Sequence, residues 1–384
     1  MLRRTLPRAA GAAFALLLAS RGAGAQEAPA FTVRDSAGIP IAESTRPAWA
    51  EGQGWTVGAT PALDFPVPSR RPNPLRLPHG RIAVPANGRL LFFTLDGTPA
   101  DSVLLRSADV WIWWLGLGEG DSLLAFTREA GLYAVTPEGR IARRVRARGV
   151  SFMWPYVVGR LPDGRLLVHE GHQQRPGDSA ATVPRRAPVR YVFLGPDGRE
   201  RGEFASLPDH ARLRGYAVPF SWHPVLAVRG GDVLVGDNRR FQFAVYAPDG
   251  TARGLVRRPY TPLAVRPEDV EAWIAEGDIV SANPSPALQR INERNRSERR
   301  QVPAGDVIPA YSELLADPAG NVWALEARRP ADPQRRWSVF APDGRWLGTV
   351  RMPDEFDLKQ VGPDWVLGRL PGPDGQRVEL RRLV

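Results

Sequence analysis

The chain contains no cysteine. That excludes disulfides, thiol chemistry and a lipoprotein anchor, which requires a cysteine at the cleavage site. Lysine is almost as scarce: of 51 basic residues only Lys359 is a lysine, and the rest are arginine. Usage this lopsided reflects codon bias as much as selection for polyanions. Of the formal net charge of +10, four arginines lie in the first 25 residues, which leaves +6 beyond them. A nucleic-acid surface needs basic residues on one face, interleaved with aromatics. The densest runs, Arg140-Arg143-Arg144-Arg146-Arg148 and Arg294-Arg296-Arg299-Arg300, contain no aromatic. They read as solvated faces, and no nucleic-acid partner is expected. Several catalytic signatures are missing as well: no G-x-S-x-G elbow, no H-E-x-x-H, no Walker A loop and no dinucleotide G-x-G-x-x-G. Gly116-Leu117-Gly118-Glu119-Gly120 is glycine-rich but is followed by no helix pattern.

What is present begins with a leader. Arg3, Arg4 and Arg8 precede an apolar stretch from Ala9 to Ala19, and Ala23-Gly24-Ala25 is a small-x-small cleavage site before Gln26. Residues 1–25 therefore read as a Sec signal peptide. The apolar stretch falls short of the roughly 20 residues a membrane span needs. No later segment is long and apolar enough to span. The expectation is a periplasmic or secreted protein with one domain over 26–384.

A short phrase recurs along that domain. It appears as Leu95-Asp96-Gly97, Pro137-Glu138-Gly139, Pro162-Asp163-Gly164, Pro196-Asp197-Gly198, Pro248-Asp249-Gly250, Pro318-Ala319-Gly320, Pro342-Asp343-Gly344 and Pro373-Asp374-Gly375. Proline presets φ at the first corner of a tight turn, aspartate caps the turn backbone, and glycine takes the positive φ. Between apolar, β-branched runs such turns make hairpins. The hairpins pair: Leu161 to Glu170 with Tyr191 to Phe204, Val225 to Val235 with Phe241 to Val256, and Leu314 to Leu325 with Trp337 to Val350. Worn copies cover Arg81 to Leu105, Trp111 to Arg146, and Phe356 to Leu383. The expected fold is all-β: a six-bladed β-propeller of four-stranded antiparallel blades.

Two further features are expected. One of the β-rich pieces near the N-terminus (Phe31-Thr32-Val33, Trp55-Thr56-Val57 or Leu63-Asp64-Phe65) should pair with the last blade and latch the ring. The alternative is an arm lying across one face. Residues 262–303 carry no hairpin signal. Pro267-Glu268-Asp269 and Ser285-Pro286 each open a helix. This predicts a helical insertion between blades 4 and 5, either a surface for a protein partner or a decorative excursion.

Val233-Leu234-Val235-Gly236-Asp237-Asn238-Arg239-Arg240-Phe241, running into Val245-Tyr246-Ala247-Pro248-Asp249-Gly250, resembles the NHL repeat. The stretch Val33 to Gly38, followed by Glu43-Ser44, is similar to the opening of exported bacterial six-bladed propellers of unassigned function. The resemblance implies the fold. It leaves function open, because propellers host lactonases, lyases, receptors and scaffolds. It also implies a structural role for Asp237, Asn238 and Arg239, tying neighbouring strands.

Aromatics supply the candidate binding site. Trp111, Trp154, Trp222 and Tyr311 each lie shortly before an inner hairpin turn, with Trp113, Tyr156 and His223 beside them. A ring of such side chains at the channel mouth would stack on a small molecule, a glycan or a peptide side chain. The competing reading is that they wedge between blades. His169-Glu170-Gly171-His172 is the one local cluster of metal-ligating types, though His169 and His172 differ in strand parity. A hydrogen-bonded loop is the competing reading there. The primary expectation is therefore a ligand-binding or interaction scaffold without a cofactor. The alternative is a channel-metal hydrolase of the lactonase or esterase type, with a divalent ion such as calcium held among Glu119, Asp232, Asp237, Asn238 and Glu313.

Overall fold

The computed structural model describes residues 29–67, 73–86, 88–105, 111–148, 156–171, 181–279, 285–372 and 375–384. The leader lies outside these residues, as do Trp154 and His172. Among the described residues, no helix is long and apolar enough to cross a membrane.

Six antiparallel sheets form the blades of a propeller. Their innermost strands are Leu75–Arg76, Ile112–Leu117, Tyr156–Arg160, Val225–Arg229, Tyr311–Ala316 and Asp357–Val361. Within each blade the chain meanders outward from there, so consecutive strands are neighbours. The Asp-Gly turns behave as their chemistry requires. Gly164 has φ +87° and Gly344 has φ +88°. The Asp163 and Asp343 carboxylates each accept from the backbone N–H two residues on, at 3.0 Å. Between blades, the faces are sealed by clusters such as Ala83, Leu90, Phe92, Leu115, Ala125 and Tyr133, which join blades 1 and 2.

The N-terminal segment does more than close the ring. Strand β1 (Phe31–Ser36) and β2 (Ile39–Ser44) form a hairpin whose second strand lies parallel to Ala252–Arg257, the outer strand of blade 4. Blade 4 thereby becomes six-stranded. The chain then runs over blade 5, where Ala48 and Trp49 donate to the carbonyls of Trp346 and Leu347 at 3.0 and 2.8 Å. Trp55 stacks on Trp323 with centroids 5.5 Å apart. Finally β3 (Leu63–Val67) pairs antiparallel with Gly375–Arg382 and completes blade 6. Of the three pieces expected near the latch, Leu63-Asp64-Phe65 closes the ring, and Phe31-Thr32-Val33 belongs to blade 4. Without β3, blade 6 would stop at three strands, with Gly375–Arg382 as an unpaired edge.

The insertion contains helices α1 (Pro267–Glu276) and α2 (Pro286–Arg300). Its base is closed by pairing of Leu263–Ala264 with Val307–Ile308. Trp273 and Val302 pack on Ala211, Leu213 and Val218. Tyr216 donates to Glu298 at 2.5 Å, and Gly305 N–H donates to the Pro219 carbonyl at 2.9 Å. The insertion thus braces the 209–223 segment, which forms part of the channel mouth.

Candidate functional site

The channel holds a cavity of about 770 Å³ to which all six blades contribute. Its shape follows from one repeated irregularity. In four innermost strands the pairing with the second strand skips a residue: Trp113 in blade 2, Val158 in blade 3, Ser312 in blade 5 and Lys359 in blade 6. A bulge leaves its extra residue unpaired and re-aims that side chain. All four bulge residues line the cavity. In blades 3, 5 and 6 the residue just before the bulge points the other way: Val157, Tyr311 and Leu358 are buried at 1%, 0% and 0% exposure.

This alternation sorts the aromatic candidates. Trp113 and Tyr156 line the cavity with His223, while Trp111 sits farther out and is 61% exposed. Tyr311 is not at the rim. It is a wedge between blades 4 and 5, its hydroxyl donating to the Gln242 carbonyl at 2.6 Å. Trp222 also leaves the set. Its ring is sandwiched between the guanidinium groups of Arg186 and Arg239, at 3.6 and 3.7 Å. It faces a smaller cleft of about 230 Å³ with Leu207 and Val235.

Blades 3 and 4 supply the polar side of the mouth. His169 faces the cavity, its Nδ1 accepting from Gly171 N–H at 3.0 Å. Glu170, on the opposite face of the chain, is buried and pairs with Arg190 at 2.9 Å. The two therefore do not converge as metal ligands. The His210 and His223 rings stack with centroids 3.8 Å apart. Burial, then the charge of His223, pulls the His210 pKa down to about 4. Burial also lowers that of His223. His223 is fixed by Asn238, whose Oδ1 accepts from the His223 backbone N–H at 2.9 Å. Asn238 Nδ2 donates to the Tyr311 carbonyl at 3.0 Å. Asn238 is fully buried with φ +47°, so it binds blade 4 to blade 5 through its side chain.

Blades 5 and 6 supply charge. Asp357 pairs with Lys359 at 3.0 Å and with both Arg335 and Arg369 at 2.8 Å. Burial raises its pKa, but Lys359, Arg335 and Arg369 together outweigh that and hold it low. Glu313 lines the cavity nearby with no hydrogen bond or ion pair among the described residues, and burial pushes its carboxyl up. Opposite, Tyr156 is pushed up to about 12 by burial and by the Glu313 charge. Tyr156 is 55% exposed. It nonetheless stands inside the channel, where surrounding protein polarises less than bulk water.

The carboxylates considered for a channel cation are scattered. Glu119 lies at an exposed turn 3.7 Å from Arg160. Asp232 is held by Arg229 and Arg253 at 3.2 and 2.6 Å. Asp237 caps the Arg239 N–H at 3.2 Å. Of that set only Glu313 lines the cavity. Among the described residues no three His, Cys, Asp or Glu side chains converge to hold a metal ion. Lys359, His210, Asp209 and Tyr191 are cavity residues that sequence reasoning missed. One signal was available, the uniqueness of Lys359.

No protein-family model matches the sequence, and no curated protein matches it. Solved structures do resemble it. A candidate exported protein from Bacteroides fragilis is 8% identical and aligns over 89% of this chain and 98% of its own, with a TM-score of 0.51. A member of the DUF4221 family from Bacteroides vulgatus is 11% identical over 86% of this chain and 98% of its own, at 0.46. A gluconolactonase from Xanthomonas campestris is 14% identical over 81% of this chain and 85% of its own, at 0.43. At such identities the likeness is one of fold: this chain is a six-bladed β-propeller.

Proposed function

We propose that this protein is an exported binding propeller that takes a small molecule into its central channel. The leader and the Val33 to Gly38 opening support export. The observation that carries the binding reading is the set of four bulges that turn Trp113, Val158, Ser312 and Lys359 into one cavity. Bulges of this kind re-aim side chains next to functional sites and interrupt a ladder that would otherwise be continuous. The cavity also falls within the size range of small-molecule sites, with an apolar wall and a few convergent polar groups. The hydrolase alternative receives no support from the donor set.

The test is ligand-observed NMR on the mature protein with a fragment library. Val158→Trp fills the channel from the bulge of blade 3. It should abolish the hits while leaving circular dichroism and the thermal midpoint close to the parent. Hits that survive the plug would place binding elsewhere and refute the channel reading.

A further inference from the structure

Lys359 stands out on three independent grounds. It is the single lysine in a chain that otherwise uses arginine for every basic position. It occupies the bulge of the innermost strand of blade 6. It lines the cavity beside Glu313. Lysine offers what arginine does not at close quarters: a compact ammonium with three donors that can be aimed separately.

The surrounding charge is unbalanced. One carboxylate, Asp357, serves three cations, Arg335, Arg369 and Lys359. Asp357 takes only part of the donor capacity of Lys359. Glu313 is the other acid at this wall, and burial moves it toward its neutral form. At the cavity itself Lys359 is the cation of the blade 5–6 wall, while Arg335, Arg369 and Asp357 line a separate cleft. Elsewhere in the cavity, Asp209 and Arg212 offset each other. In a six-membered ring, blades 2 and 3 stand across from blades 5 and 6. Their wall is aromatic, with Trp113, Trp114, Tyr156 and Tyr191. The cavity is thus aromatic on one side and carries a single ammonium beside one carboxyl on the other.

Building on the channel reading above, we infer that the ligand is a small organic acid with a flat aromatic or apolar body. Its carboxylate sits on the Lys359 ammonium and its body lies against the wall of blades 2 and 3. Glu313 completes the site. In its protonated form it donates to the second oxygen of the ligand carboxylate, so that acid and ligand share one proton.

Three probes with one body separate the possibilities: 2-naphthoate, 2-naphthamide and 2-naphthylmethylammonium, titrated calorimetrically into the mature protein at low salt. The acid should bind at least tenfold tighter than the amide, and the ammonium weakest. Lys359→Met should erase the acid's advantage and leave the amide unchanged, while Asp357 keeps its two arginine partners. Reductive methylation followed by mass spectrometry reads the lone lysine directly, and naphthoate should slow its modification where naphthamide does not. Equal binding of acid and amide, or tightest binding of the ammonium, overturns the acid assignment and leaves the channel reading standing. Absence of binding by all three, with Lys359 modified at one rate throughout, also overturns the assignment. The channel reading then stands or falls on the fragment screen with the plugged variant.

Discussion

Replacing Asn238 should show how much one side chain contributes to holding two blades in register. Asn238→Ala removes the acceptor for the His223 backbone N–H and the donor to the Tyr311 carbonyl, 2.9 and 3.0 Å away. Each buried group left without a partner costs about 1–3 kcal/mol. The φ of +47° adds about 1 kcal/mol for alanine, which lacks the short polar side chain that lets asparagine tolerate the left-handed region. The expected loss is about 3–7 kcal/mol, a large share of the roughly 5–15 kcal/mol by which domains are stable. Asn238→Gly relieves only the backbone cost and should recover about 1 kcal/mol of it. Asn238→Asp keeps the acceptor but sets an oxygen against the Tyr311 carbonyl, so it should remain clearly destabilised. Urea unfolding followed by tryptophan fluorescence gives the midpoints and slopes for all four proteins. A loss under 1 kcal/mol for alanine would falsify the inter-blade role. Equal losses for alanine and glycine would remove the backbone part of the reasoning.

Other perturbations follow from the same geometry. The His210 pKa is depressed to about 4, from an unfolded value near 6.5. Its neutral form is therefore favoured in the fold, and the associated stability is present above pH 6.5. That stability, about 3 kcal/mol in the limit, is lost as pH falls from 6.5 toward 4. Thermal midpoints measured between pH 7 and 4 should drop more steeply for the parent than for His210→Gln. Trp222→Ala should cost about 1–3 kcal/mol through its two guanidinium contacts, without altering fragment binding in the channel. Tyr156→Ala should do the reverse, weakening channel ligands with little change in the thermal midpoint. At a pH where Glu313 is ionised in the free protein, acid binding should be accompanied by proton uptake there, so affinity should rise as pH falls toward the ligand's own pKa. Calorimetry in buffers of different ionisation enthalpy measures that uptake, and Glu313→Gln should remove it.

The blades were legible because tight turns are local chemistry. Asp163-Gly164 and Asp343-Gly344 specify their hairpins within a few residues. The two helices of the insertion were equally plain from Pro267 and Ser285-Pro286. Ring closure was legible in part: Leu63-Asp64-Phe65 reads as a strand, but nothing local distinguishes blade 6 from blade 4 as its partner. The site was the least legible, and the reason is register. Counting back from the turn glycines placed Trp111, Trp222 and Tyr311 in one class. A bulge shifts parity by one residue, and a one-residue shift moves a side chain from channel to core. Tyr311 lies one residue before its bulge and is buried, whereas Trp113 lies on its bulge and faces the cavity. The bulge is a property of two paired strands, so single-strand spacing cannot reveal it.

The path of residues 29–67 also sets the order in which this protein can fold. That segment touches blade 4, crosses blade 5 and ends in blade 6, so its partners are the last parts of the chain to be made. Asp64 meets Arg377 across 313 residues of sequence. Contacts this distant are slow to form, because the intervening chain must be ordered first. The first strands therefore wait while the six blades accumulate, and no closed ring exists until the final strand has arrived.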